Sequence, residues 1–182
     1  MGCDIHPYAE VRVNGRWQRS YIKVPRDRNY WAFGVLANVR NGYGVAGSYT
    51  GEPVTPISEP RGLPADCVTR ENFIEDYESP DYVNLGDHSF SWVTLAELLA
   101  LDLDTPVTEG GVINTAQKAA LDTQGILPDR WCSMKSPMTK DDVHATWKRP
   151  LRESAWLLSE IIEALKPLGA PDDVRIVFGF DS

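Results

Sequence analysis

Asp4, His6, Tyr8 and Glu10 stand two residues apart near the start of the chain. On a β-strand, side chains two apart share one face at about 7 Å from one another, close enough to converge on one ligand. Asp4-Ile5-His6 therefore sets a carboxylate beside an imidazole, the parts of a metal site or of a general-base pair. Histidine is scarce, with three in 182 residues. A merely solvated face more often carries Lys, Thr, Glu and Ser. The competing structural reading is the wet face of an edge strand.

Asp87-His88-Ser89 forms a second polar cluster. Its ordinary role is capping or local backbone hydrogen bonding. In the functional reading, His88 faces His6 across a cleft. Two histidines can act as base and acid in phosphodiester cleavage without a metal, with Tyr8 and Glu10 orienting them. Alternatively, Asp4, His6, Asp87 and His88 hold one divalent ion that polarises a phosphate and activates water. The sequence has no H-E-x-x-H, no Cys-x-x-Cys pair and no tight acidic cluster, so both mechanisms stay open. His144 is expected to be surface or packing, and Cys3 to face the apolar side of its strand.

Arg26 and Arg28 precede Tyr30 and Trp31, and Arg40 and Arg61 follow. Guanidinium binds phosphate in a two-pronged way, and aromatic rings stack on bases. Arg28, Arg40 and Arg61, with Tyr30, are the expected ligand-binding set. Arg61 leads it, because the Pro60-Arg61-Gly62 turn presents its side chain on a constrained backbone. The plain alternative is that these arginines pair with some of the 26 acidic residues. There is no phosphate-loop, dinucleotide-binding or G-x-S-x-G signature to support a kinase, dehydrogenase or α/β-hydrolase.

These residues need elements to position them. From Cys3 to Val13, apolar residues alternate with polar ones, which predicts a strand, at an edge or interrupted where Pro7 lacks an N–H. Asn14-Gly15 signals a hairpin to a returning strand over 16–24. Tyr30 to Arg40 reads as a buried helix, capped by Asp27 and ended before Gly42. The stretch 42–69 holds five glycines and four prolines and reads as a long loop closing over the ligand. Thr94-Leu95-Ala96-Glu97 is a capping box opening a helix to about Leu101. Residues 104–137 read as an irregular insertion with a short helix near 116–122, and 139–147 as another short helix. The clearest helix is Pro150 to Leu165, and Val174 to Phe180 reads as a closing strand. The expectation is a single α+β domain over 1–182. Its mainly antiparallel sheet contains the N- and C-terminal strands and packs against helices.

The net charge of -8 argues against long nucleic acids, whose phosphates call for a basic surface. A few converging arginines can still bind a small nucleotide. Neither a membrane-spanning run nor a secretory leader is visible, so a soluble cytoplasmic protein is expected. Cys3, Cys67 and Cys132 form no disulfide or zinc framework.

Several blocks resemble a family of uncharacterised proteins of tailed bacteriophages. They are Met1-Gly2-Cys3-Asp4-Ile5-His6, Arg28-Asn29-Tyr30, Leu36 to Asn41, Pro60-Arg61-Gly62-Leu63-Pro64, His88-Ser89-Phe90-Ser91-Trp92 and Val177 to Ser182. The stretch from about 104 to 170 matches only loosely. The resemblance implies a phage origin and the host cytoplasm during infection, and it assigns no catalytic residue. Phages carry small proteins that destroy or sequester the nucleotide signals of host immunity, which by analogy suggests three functions. The first is a phosphodiesterase that cleaves a small cyclic nucleotide or oligonucleotide. The second is a protein that sequesters it uncleaved. The third is a structural or partner-binding phage protein. The expected partners are a small nucleotide and, as an open alternative, further copies of the chain, with one divalent metal ion as the only cofactor considered.

Overall fold

The computed structural model describes residues 2–67 and 84–181. The opening alternation forms β1 (Asp4–Val13), and Asn14 and Gly15 (φ 52 and 78) turn the chain into β2 (Arg16–Ser20). Such a tight turn needs left-handed backbone at both positions, which Asn and Gly tolerate. β2 stops at Ser20, short of the expected Val24.

An irregular segment leads to α1 (Tyr30–Ala37), whose residues from Trp31 to Ala37 are all buried. Asn29, not Asp27, is its cap: the side-chain oxygen accepts from the Ala32 N–H at 2.8 Å. The helix ends at Asn38 (φ 57), so Arg40 lies beyond it. Between 42 and 67 the only helical element is a single 3₁₀ turn, Val45–Gly47. Positions 68 and 69 of the expected loop lie outside the described residues.

The next elements are β3 (His88–Thr94) and α2 (Leu95–Leu99). The capping box is present, with Thr94 Oγ1 accepting from the Glu97 N–H and Glu97 Oε2 from the Thr94 N–H. Residues 104–150 correct the expectation. They contain β4 (Pro106–Asn114), α3 (Thr115–Gln124) and β5 (Asp142–Pro150), with β4 and β5 paired antiparallel along their whole length. Gly110-Gly111 inside β4 resembles a loop signal. Both glycines are there for space, since a Cβ would strike the Tyr49 ring at one and the Trp131 ring at the other. In β5, Ala145 and Trp147 are buried while His144, Thr146 and Lys148 are exposed, a period of two rather than of a helix. The predicted long helix is two: α4 (Leu151–Ser154) and α5 (Trp156–Leu165), broken at Ala155 (φ -100, ψ 43). The last element is β6 (Val174–Asp181).

The fold is α+β, and all four strand pairings among the described residues are antiparallel. β6 lies between β1 and β3 in a sheet of order β2-β1-β6-β3, so the first and last strands are neighbours. One face of this sheet (Ile5, Ala9, Ile176, Phe178, Phe180) packs on α1 and α5 through Phe33, Leu36, Leu158 and Ile161. Burying each such side chain stabilises the fold by about 1.5–3 kcal/mol. The β4–β5 hairpin has its own small core of Ile113, Ala145 and Trp147. Among the described residues no helix is long and apolar enough to cross a membrane.

Candidate functional site

β2 pairs with β1 only from Ala9 to Val13, so Asp4 to Tyr8 present an open edge, and Pro7 falls in that unpaired stretch. The segment after β2 runs alongside and leaves three adjoining hollows. The first, of about 440 Å³, is lined by His6, Tyr8, Arg19, Lys23 and Arg26 among others. The second, of about 540 Å³, shares His6 and Arg26 with it and adds Asp4, Asp27 and Arg28. The third, of about 560 Å³, shares Arg28 with the second and reaches toward the β4–β5 hairpin.

His6 is held by Asp181, whose Oδ2 lies 2.9 Å from Nε2. Asp181 Oδ1 accepts from the Asp4 N–H at 3.0 Å. The hydrogen bond from His6, aided by that N–H, holds the Asp181 carboxyl below its ordinary range. With Nε2 donating to Asp181, the His6 nitrogen left for a ligand is Nδ1. Asp4 is taken by Arg28 in a two-pronged pair of 2.8 and 2.7 Å, which lowers the Asp4 carboxyl and raises the guanidinium. Arg26 has no hydrogen-bond or ion-pair partner among the described residues. Arg19 lies over the Tyr21 ring, and its buried Nε and Nη1 have no hydrogen-bond partner among them.

The two-histidine arrangement is not assembled. Along β6, His6 is opposite Gly179 and His88 opposite Phe180, so the two imidazoles lie on opposite faces of the sheet. His88 stacks on Phe180 at 6.0 Å and contacts Ser89 Oγ through Nδ1 at 2.9 Å. The register shift between His88 and Ser91, with Ser89 at φ 52, is the local cause. Asp87 is exposed and anchored by its backbone N–H to the Phe180 carbonyl. Asp4, His6, Asp87 and His88 thus do not form one metal set. Among the described residues no three His, Cys, Asp or Glu side chains are grouped to hold an ion.

Glu10 and Tyr8 serve a different group from the one expected. Glu10 is fully buried and accepts from Tyr8 Oη at 2.9 Å and from Arg175 Nε at 2.7 Å. Arg175 in turn lies 3.9 Å from the Trp17 ring and 5.7 Å from the Trp92 ring. Arg12 covers Trp17, and Arg61 covers Trp92. The result is a ladder, Arg12–Trp17–Arg175–Trp92–Arg61, across the second face of the sheet. Each such cation–ring contact is worth about 0.5–2 kcal/mol. Arg61 is further committed to both oxygens of Glu97 at 3.1 and 2.6 Å. Arg40 covers the Tyr30 ring and reaches the Gly44 carbonyl at 3.4 Å. Tyr30 Oη accepts from the Cys3 N–H. Cys3 is buried, and burial pushes its thiol up.

Of the expected ligand set, Arg28 and Tyr30 line the groove, whereas Arg40 and Arg61 brace the fold. Arg19, Lys23, Arg26 and Asp181 join it instead. Asp181 could have been found by pairing the first strand with the last, which sets it opposite Asp4. Arg19 and Lys23 carried no signal beyond their charge. In comparisons with known proteins, no protein-family model, no curated protein and no solved structure matches this chain.

Proposed function

We propose that the protein binds a small phosphate-bearing ligand, a nucleotide, along the His6 groove. One observation carries this reading. Arg19, Lys23 and Arg26 meet His6 around a hollow with no carboxylate on its described lining, in a chain of net charge -8. Cations without acidic partners among the described residues suit a compact anion, and guanidinium matches phosphate oxygens in a two-pronged way. The cationic surface is local, which fits a small ligand better than a long polyanion. With the phage resemblance, the ligand class becomes a cyclic nucleotide or short oligonucleotide of host antiviral immunity, sequestered in the host cytoplasm. Dispersal of the two histidines favours sequestration over the two-histidine phosphodiesterase.

The His6–Asp181 pair keeps a second reading open. Asp181 orients the ring, so His6 Nδ1 can take a proton from a water attacking phosphorus. Incubation with a panel of cyclic dinucleotides, with and without EDTA, separates the two. Ligand released intact by heat supports sequestration, and products that disappear in His6→Ala support hydrolysis. For either, Arg26→Ala should weaken pyrophosphate binding about tenfold, or about 1.4 kcal/mol, by calorimetry. If pyrophosphate does not bind the unaltered protein, the reading fails.

A further inference from the structure

The third hollow differs in chemistry from the first. Its two guanidiniums are already matched: Arg28 by Asp4, and Arg149 by Glu109 at 3.1 Å and Glu153 at 3.3 Å. Glu109 is buried and also accepts from Trp147 Nε1 at 2.6 Å. With Asp129 added, the lining carries three carboxylates against two guanidiniums, so it offers no surplus positive charge for a second phosphate. It offers rings instead, from Tyr30, Trp31, Trp131 and Trp156. Three of its lining residues carry buried side-chain atoms without a hydrogen-bond partner among the described residues, and one of these, Arg149 Nε, is ion-paired with Glu109. The other two are Trp31 Nε1 and Ser154 Oγ, on residues 9% and 5% exposed. A buried donor left unmatched is costly, and a small turn of either side chain toward the hollow would let a ligand acceptor satisfy it. The break at Ala155 between α4 and α5 brings Ser154 and Trp156 to the same wall.

We propose that this third hollow is a nucleobase compartment, in which aromatic rings stack on the base and Trp31 Nε1 and Ser154 Oγ donate to its carbonyl or ring-nitrogen acceptors. The inference rests on the phosphate-binding reading of the groove, since Arg28 forms the wall shared with the phosphate side. A ligand held at both ends spans from the Arg26 hollow past Arg28 to Trp156. Ring stacking is tolerant of base identity, and the two donors bias the site toward bases rich in acceptors.

The test uses each half of the ligand alone on the full chain. Adenosine, guanosine, cytidine and uridine carry no phosphate, and pyrophosphate carries no base. Three of the six tryptophans line the compartment, so nucleoside binding should quench intrinsic fluorescence. Ser154→Ala and Trp156→Leu should each weaken the best nucleoside about tenfold and leave pyrophosphate affinity unchanged, with melting curves confirming that both variants fold. Arg26→Ala should do the reverse. If pyrophosphate binds but no nucleoside quenches, the compartment is refuted while the phosphate reading stands. Nucleoside binding that survives both substitutions also refutes it. Nucleoside binding lost in both variants, with pyrophosphate inert, supports the compartment and overturns the phosphate reading. Silence from both probes overturns both.

Discussion

The polar row of β1 leads two lives. Asp4 and His6 border a groove, with Tyr8 at its edge, whereas Glu10, on the same face of the same strand, is sealed beneath the Arg–Trp ladder. The residue pattern does not distinguish the halves, and the neighbours do. β2 covers β1 only from Ala9 onward and brings Trp17 over Arg175. In the covered half a carboxylate needs a cation of its own, because an unpaired buried charge is costly. In the open half, water supplies solvation, and Arg26 needs no acid among the described residues. A row of alternating polar side chains therefore reports a face, and the coverage of that face decides between scaffold and site.

Removing one charge from each half should break the symmetry of the pattern most visibly. Glu10→Ala leaves buried Arg175 with Asp66, a mostly exposed carboxylate 3.1 Å from Nη2, as its remaining ionic partner among the described residues, and should cost about 3 kcal/mol in urea unfolding. Replacing both Glu10 and Arg175 with methionine should recover much of that loss, because no under-paired buried charge then remains. His6→Ala, on the groove side, should leave the unfolding midpoint nearly unchanged. Equal losses at Glu10 and His6 would show that the two halves are alike.

The arginines sharpen the contrast at smaller scale. Arg61→Ala removes the Glu97 pair and the cover over Trp92, both partly exposed, and should cost about 1 kcal/mol. Its pyrophosphate affinity should remain that of the unaltered protein, whereas Arg26→Ala should show the opposite profile. Calorimetry and thermal melts on the two variants give the comparison directly. If Arg61→Ala impaired binding as Arg26→Ala does, the ladder would belong to the site.

Much of the main sheet was readable because its signals are local. Period-two alternation marked β1 and β6, Asn14-Gly15 marked the turn, and Thr94 to Glu97 marked the start of α2. The β4–β5 hairpin was not, because Gly110-Gly111 mimics a loop. Those glycines exist to admit the Tyr49 and Trp131 rings, a requirement visible only in three dimensions. For the site, the sequence singled out Asp4, His6, Arg28 and Tyr30 by type and spacing. It could not place His88, since the irregularity at Ser89 sets which face an imidazole occupies. Nor could it separate Arg26 from Arg61, because the difference is whether, among the described residues, an acid such as Glu97 folds back within reach.

The smallest expected effect concerns the join between the chain ends. Asp181 has its carboxyl lowered by His6 and by the Asp4 N–H. A carboxyl lowered in the folded state favours folding at any pH above its unfolded value near 3.8, and that contribution fades as pH falls through the lowered folded value. Asp181 remains 44% exposed, so solvent screens the pair and the stability change is slight. The local signature should be clearer than the global one. Following the Asp181 side-chain carbon by NMR should place its titration below the ordinary carboxylate range, and His6→Ala should move it upward. Asp181→Asn should flatten the acid limb of the stability curve without altering the ladder. An Asp181 titration indifferent to His6 would uncouple the pair and leave the open half of β1 without its organised imidazole.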